Sequence, residues 1–316
     1  MKCLCCGKEL KSGGENGWHK ACVKAFFGVS SLPEIDVSSK TLELLAQETT
    51  GKGYTVPGVQ KKLSLHLFSG HGRKPRLTLV DYPTGYILKP QVADFEALPQ
   101  AESLAMHMAQ KAGINVVPHA LISTDGTYAY ITKRVDRAFE NGRVKMLAME
   151  DFCQLDLRLT QDKYKGSYER CAKVIERYSC RSGLDMTEFF LRLVFSFVIG
   201  NSDMHLKNFS LIETEEGSGE YVLSPAYDLL PVNVIMPEDK EQFALTMNGK
   251  KTNIRKKDFL VFADSCKIQR SSAEKMIAGV AKRKNALISM CNDSLMPAEM
   301  KAGLSSLIEE RTSVLA

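Results

Sequence analysis

Asp203 and Asn208 lie five positions apart in "GNSDMHLKNF" (200–209), and Asp228 follows in "SPAYDLLPV" (224–232). One such acid can take the proton of an attacking hydroxyl. The amide oxygen and the second carboxylate are hard ligands suited to magnesium. His205, Leu206 and Lys207 fill the same stretch, and His205 and Lys207 offer positive or hydrogen-bonding groups to a transferring phosphate. Upstream, Lys89 ends the alternating segment "YILKP" on the face of Ile87, a buried or cleft-facing position. An ammonium there needs an anionic partner; Glu102 is a candidate, though it could equally be a surface residue. Pro57, Gly58, Val59, Gln60, Lys61 and Lys62 form a Gly-containing turn before a strand. Backbone N–H groups of such a turn can cradle phosphates, helped by Lys61 or Lys62. Taken singly, each segment also reads as an ordinary turn or helix end.

A second constellation opens the chain. Cys3-x2-Cys6 is followed by His19-x2-Cys22, with twelve residues between the pairs. Two such knuckles supply the four tetrahedral ligands zinc requires, and four filled positions imply a structural rather than a catalytic ion. Cys5 could replace Cys6 in a shifted register. The segment has no apolar core of its own, so metal could provide its folding energy.

The elements that must position these groups follow from periodicity. The Gly-punctuated segment 50–68 ends in an alternating strand, 76–90 reads as a hairpin of two strands, and 127–137 as strand again. Residues 41–49 form a short helix. Between them, Ala101, Leu104, Ala105, Met108 and Ala112 share one helical face, and Gly113 stops that helix. Beyond about residue 145 the pattern is mostly helical. Asp185-x-x-Glu188 resembles a capping box opening an apolar helix that ends at Gly200. Two short strands flank "EEGSGE" as a hairpin, and the tail from 256 is helical. The order of Gly turn, strand Lys, acid–amide pair, hairpin and second acid is that of a protein-kinase-like phosphotransferase.

Composition bounds the reading without naming a partner. The chain has 316 residues, 44% of them hydrophobic, with a net charge of +5, so a packed core is expected and nucleic-acid binding is not implied. No run spans a membrane, since residues 189–200 are too short and Arg192 interrupts them. No signal peptide is recognisable at the N-terminus. Nine cysteines, four of them within the first 22 residues, point to metal and a reducing cytoplasm rather than to a disulfide framework. The basic stretches 250–257 and 281–284 read as a solvated face, or as a docking surface for an acidic protein, tRNA-bound substrate or operator DNA.

The segments "TVPGVQKKL", "YILKP", "ITKRVDR", "GNSDMHLKNFS" and "LSPAYDL", in this order across residues 50–300, resemble the HipA family of serine/threonine kinases, toxins of toxin–antitoxin systems. The resemblance implies an α+β, two-lobed protein-kinase-like fold. A zinc-ribbon-like module (1–27) would precede a β-rich N-lobe (28–145) and a helical C-lobe (146–316). It implies Asp203 as catalytic base, Asn208 and Asp228 as magnesium ligands, and Lys89 on the ATP phosphates. Residues 57–62 would cover those phosphates, and Lys133, Arg134 and Val135 would read adenine through the backbone. His205, Leu206, Lys207, Asn208 and Tyr227 would line the nucleotide site. Thr55 stands where the family often carries an autophosphorylated residue. Thr replaces the commoner Ser there, and Pro57 removes a second hydroxyl seen in some short relatives. The implied acceptor is a protein such as an aminoacyl-tRNA synthetase. The implied partners are a HipB-like helix-turn-helix antitoxin, DNA only through that antitoxin, and a small separate subunit in place of the missing amino-terminal subdomain. A small-molecule or lipid kinase on the same fold, and a non-catalytic nucleotide-binding scaffold, are the alternatives.

Overall fold

The structure, a computed structural model, describes residues 1–10, 14–35, 62–69, 74–79, 84–124, 126–140 and 143–316. The chain divides into two compact units. One comprises Met1–Ser103 and Val117–Val135; the other comprises Leu104–Val116 and Asp136–Ala316.

The first unit holds helix α1 (Lys20–Phe27) and strands β1 (Glu34–Ile35), β2 (Leu63–Phe68), β3 (Arg76–Thr78), β4 (Tyr86–Pro90), β5 (His119–Thr124) and β6 (Thr127–Lys133). They form one six-stranded sheet in the order β1-β3-β2-β4-β6-β5. The hairpin expected over 76–90 does not form between its own strands. Residues 66–68 of β2 pair with β3, and residues 63–65 pair with β4, so β2 lies between them. Alternation decides which face a side chain takes, not which strand lies alongside. The expected helix at 41–49 lies outside the described residues.

Leu65, Leu77, Leu88 and Ile131 form the core of this sheet, and Trp18, Phe26 and Phe27 from the N-terminal segment join it. Phe27 packs on Tyr86 with ring centroids 5.3 Å apart. Trp18 Nε1 donates to the Leu121 carbonyl at 3.1 Å, and the Leu121 N–H donates to the Leu4 carbonyl at 2.9 Å. The segment read as lacking an apolar core of its own therefore borrows one. Burial of these rings contributes to its folding alongside any metal.

Helix α2 (Leu98–Ala112) matches the expected periodicity: Ala101, Leu104, Ala105, Met108 and Ala112 are all buried, and Gly113 ends it at φ 94°.

The second unit contains the ribbon β7 (Arg137–Glu140) with β8 (Arg143–Met146), and a three-stranded sheet of β9 (Met149–Asp151), β10 (Ser210–Glu213) and β11 (Tyr221–Leu223). The β10–β11 hairpin is as expected, with Leu211 opposite Leu223. Its helices are α3 (Phe152–Leu155), α4 (Tyr168–Tyr178), α5 (Ser182–Ile199), α6 (Val232–Ile235), α7 (Lys256–Ser265), α8 (Arg270–Ala281), α9 (Lys284–Asn292) and α10 (Ala298–Leu315). Helix α5 is apolar nearly all round and buries Phe189, Phe190, Phe195 and Phe197 completely, as a central helix must.

Asp185 does not cap α5, which starts at Ser182. Its carboxylate instead accepts from Ser179 Oγ at 2.6 Å, the Leu223 N–H at 2.7 Å and Arg181 Nε at 3.0 Å. A buried carboxylate needs several donors at once, and these join α5 to β11. The basic stretches also serve the fold. Lys250 pairs with Asp258 at 2.7 Å, Lys251 with Glu241 at 3.1 Å, and Arg283 Nε donates to the Lys111 carbonyl at 3.0 Å. Among the described residues no helix is long and apolar enough to cross a membrane.

Candidate active site

The stretch after α5 begins with Gly200 at φ 70°, where a Cβ would lie 2.3 Å from Leu307 Cδ2. Only glycine meets both conditions without strain. The chain then turns into a loop that is tied to itself. The Asp203 N–H donates to Asn201 Oδ1 at 3.4 Å, and the Asn208 N–H donates to the His205 carbonyl at 3.0 Å. Asn208 Nδ2 donates to the Asp203 carbonyl at 2.8 Å. That contact orients the amide, leaving its oxygen as the atom to offer a cation. Leu206 is buried, and its N–H donates to the Lys163 carbonyl at 3.1 Å.

Asp203 is half-buried, and Tyr164 Oη donates to its Oδ1 at 2.7 Å. Burial pushes the Asp203 carboxyl up to about 6; the Tyr164 hydrogen bond and Lys163 pull against this, while Asp228 and Asp239 add to it. A base with that value is ionised at neutral pH yet retains proton affinity. His205 is buried, its ring edge-on to Tyr164 at 5.0 Å. Burial and the Lys163 charge bring its pKa down to about 4, so the imidazole is neutral.

Asp228 sits at φ 60°, in the left-handed region that residues other than glycine adopt uncommonly. Several contacts hold the segment around it. Arg192, the charge that interrupts the apolar run of α5, is buried; its Nη2 donates to the Ser224 carbonyl at 2.7 Å and to Glu188 Oε1 at 3.1 Å. The Ala226 N–H donates to the Asn115 carbonyl at 2.7 Å. Tyr227 Oη lies 2.6 Å from Ser210 Oγ and donates to the Lys207 carbonyl at 3.0 Å, tying this segment to the loop of Asp203. Lys207 Nζ pairs with Asp151 Oδ2 at 2.6 Å. Asp203, His205, Leu206, Lys207, Asn208, Tyr227 and Asp228 are thus gathered in one place. Asn208 and Asp228, an amide oxygen and a carboxylate beside a second carboxylate, Asp203, fit a hard divalent cation such as magnesium.

In the first unit, Lys89 is buried and its Nζ lies 2.6 Å from Glu102 Oε1, which is fully buried. The ammonium also stands 5.5 Å from the centre of the Tyr130 ring. The expected anionic partner is therefore Glu102. At the end of β6 the Lys133 N–H donates to the Pro118 carbonyl at 3.0 Å and the Arg134 N–H to the Gly85 carbonyl at 2.9 Å. Two of the three linker N–H groups are thereby committed, and Val135 carries the third. Lys62 is exposed just before β2. Thr55, Pro57, Gly58, Val59, Gln60 and Lys61 lie outside the described residues.

Cys3, Cys6, His19 and Cys22 bring their ligand atoms within 4.8 Å of one another. Cys6 Sγ and Cys22 Sγ lie 3.5 and 3.7 Å from His19 Nδ1. A zinc tetrahedron with bonds of about 2.0–2.3 Å has edges of about 3.5–3.8 Å, so the four residues fit such an ion. His19 Nε2 lies 3.0 Å from the Glu9 carbonyl. Only a protonated Nε2 can bond a carbonyl, and this leaves the Nδ1 lone pair facing the thiols. Burial raises the Cys3 thiol, but N–H groups of Cys6, His19 and Cys5 directed at its sulfur outweigh that and bring it down to about 7.

Tyr164, Asp151 and Arg192 belong to the site's structure, and sequence reasoning gave none of them a role in it. Arg192 had a signal, a cation inside an apolar run; Tyr164 and Asp151 had none beyond their polarity.

The HipA-like C-terminal domain matches residues 54–288. Y4mE of Sinorhizobium fredii, which carries the name "Putative kinase", is 30% identical over 69% of this chain and 51% of its own length. Its fellow Y4dM is 30% identical over 72% of this chain and 56% of its own. The chain thus spans about half the length of these curated relatives. Among solved structures, HipA of Shewanella oneidensis, from a complex of HipA, HipB and operator DNA, superposes with a TM-score of 0.68 at 20% identity. That match covers 96% of this chain and 79% of the other. The Helicobacter pylori proinflammatory kinase CtkA superposes with a TM-score of 0.55 at 17% identity, covering 80% and 94%. The fold is accordingly α+β and kinase-like, and with 235 of its 316 residues matched the chain belongs to the HipA-like C-terminal domain family.

Proposed function

We propose that this chain transfers the γ-phosphate of ATP to a serine or threonine hydroxyl of a protein, with Asp203 as the catalytic base. The observation that carries the reading is the fixed acid–amide–acid set: Asp203 with its carboxyl near 6, Asn208 oriented by the Asp203 carbonyl, and Asp228 held at positive φ. In the transfer the acceptor hydroxyl gives its proton to Asp203 as its oxygen bonds to phosphorus. The bond from phosphorus to the bridging oxygen breaks, and ADP leaves. Magnesium bound to Asn208 and Asp228 would offset the charge of the phosphates.

Lys89, held by Glu102, binds the phosphates, and residues 57–62 cover them. The Lys133–Val135 linker reads adenine through carbonyls and the Val135 N–H, because the other two N–H groups are engaged. His205 enters as a neutral ring, and Lys207 is restrained by Asp151. Zinc bound by Cys3, Cys6, His19 and Cys22 is structural, and all nine cysteines being free thiols accords with a reducing cytoplasm. The Shewanella protein's complex with HipB and operator DNA supports a helix-turn-helix antitoxin as partner, with DNA reached only through it. A separate small subunit would complete the assembly, an aminoacyl-tRNA synthetase is the proposed acceptor, and Thr55 is the site of self-inhibition.

The test is labelled ATP with magnesium and bacterial lysate, using the wild type and Asp203→Asn. Labelled serine or threonine in a protein, formed by the wild type alone, is the expected result. Label confined to lipids or metabolites, or nucleotide binding without transfer, overturns the reading. Phosphopeptide mapping of the purified chain checks Thr55.

A further inference from the structure

Tyr164 comes from a segment 39 residues upstream of Asp203 and belongs to none of the motifs above, yet its hydroxyl donates to the Asp203 carboxylate at 2.7 Å. We propose that Tyr164 is a positioning residue for phosphoryl transfer, holding Oδ1 of Asp203 so that Oδ2 faces the acceptor hydroxyl. The inference rests on the phosphotransfer reading and adds a residue to it.

A general base must keep its accepting oxygen within hydrogen-bond reach of the proton it takes. The last torsion of an aspartate is broad and roughly two-fold, so backbone restraint alone does not orient the carboxylate. Asn201 and Asn208 fix the backbone of Asp203, and the phenol fixes its side chain. Asp203 is only partly exposed, so a phenol brought from another segment both satisfies one of its oxygens and sets the direction of the carboxylate.

Tyr164 is itself restrained. The His205 ring meets it edge-on at 5.0 Å, and the Lys163 ammonium lies 4.9 Å from the centre of its ring. The Lys163 carbonyl accepts the Leu206 N–H at 3.1 Å, so the segment that presents Tyr164 is bonded to the loop it orients. The acidity of the phenol is suppressed by burial and by the charge of Asp203, so it stays a donor at any ordinary pH. The arrangement is that of a functional group locked by its supporting shell.

The experiment compares the full chain with Tyr164→Phe, Asp203→Ala and the double variant. It follows ADP release and protein labelling with ATP and magnesium, together with thermal melting. Tyr164→Phe should lower kcat by about 10- to 100-fold while KM for ATP and the melting temperature stay unchanged. In the Asp203→Ala background the Phe substitution should have no further effect, because nothing is left to orient. Full-speed turnover by Tyr164→Phe overturns the proposal. So does a loss that adds to that of Asp203→Ala or tracks a lowered melting temperature, and so does phosphate found on Tyr164 itself. A wild type that binds ATP and never releases ADP overturns the phosphotransfer reading and this proposal together. An active wild type beside an equally active Tyr164→Phe overturns this proposal alone.

Discussion

Cys3, Cys6, His19 and Cys22 bring four soft or borderline donors within 4.8 Å of one another, while Asp203, Asn208 and Asp228 offer hard oxygens. Around the first set, Trp18, Phe26 and Phe27 are buried in a core shared with the sheet of their unit. Around the second, hydrogen bonds orient the groups: Asn208 on the Asp203 carbonyl, Tyr164 on its carboxylate, Tyr227 on the Lys207 carbonyl. One cluster also contains a strained residue, Asp228 at φ 60°, and the other has none among its four ligands. The two should therefore suffer different damage. A complete four-ligand set is lost as stability, and a set oriented for the proposed transfer is lost as rate.

Four substitutions sharpen or break that contrast. The largest effect is expected at Asp203, where Asn should lower the transfer rate by about 10²–10⁴-fold and leave the melting curve in place. A melting curve that falls in step with the rate would remove the distinction between the clusters. Next is Glu102→Ala, which takes away the carboxylate that buried Lys89 pairs with; denaturant titration should show a loss of about 3–5 kcal/mol. Lys89 thus serves as an internal control, since its site combines burial with a proposed phosphate-binding role.

Third, Cys22→Ser should abolish stoichiometric zinc by elemental analysis. With metal at about 100 times its Kd in the wild-type sample, the stability lost is about 2.7 kcal/mol. The activity of the folded fraction at low temperature should change little. Retention of zinc by this variant would mean that Cys5 has taken over the vacant corner. The smallest effect is Gly200→Ala, about 1–2 kcal/mol from the left-handed backbone, with a further shift demanded of Leu307. Calorimetry reads the stability, and a drop in turnover beyond it would show that the turn also sets the Asp203 geometry.

Much of the site was legible in the residues. The acid–amide pair, the strand lysine and the Cys/His knuckles carry their chemistry in residue type and spacing, whereas Glu102 could equally have been a surface residue until the fold set it on Lys89. Helix α2 was legible for the same reason, because five small or apolar residues at helical spacing leave one face to bury. Other readings failed where the answer lay far along the chain. The Asp185-x-x-Glu188 pattern matches a capping box, yet the Leu223 N–H, 38 positions away, reaches that carboxylate in its place. The strands of 76–90 alternate as a hairpin should, but β2 pairs with both of them. Tyr164 left no trace, because a tyrosine in a polar loop looks the same whether or not it meets a base.

Sequence by itself determined which side chains could do chemistry and which faces had to be buried, because both depend on residue type and short-range spacing. Tertiary structure alone decided the partners: Tyr164 on Asp203, Asp151 on Lys207, Arg192 beneath the Asp228 segment, β2 between β3 and β4. Those contacts join segments that are distant in the chain. Their free energy is realised only once burial of the shared cores has brought the segments within hydrogen-bond range, and no local pattern encodes that distance.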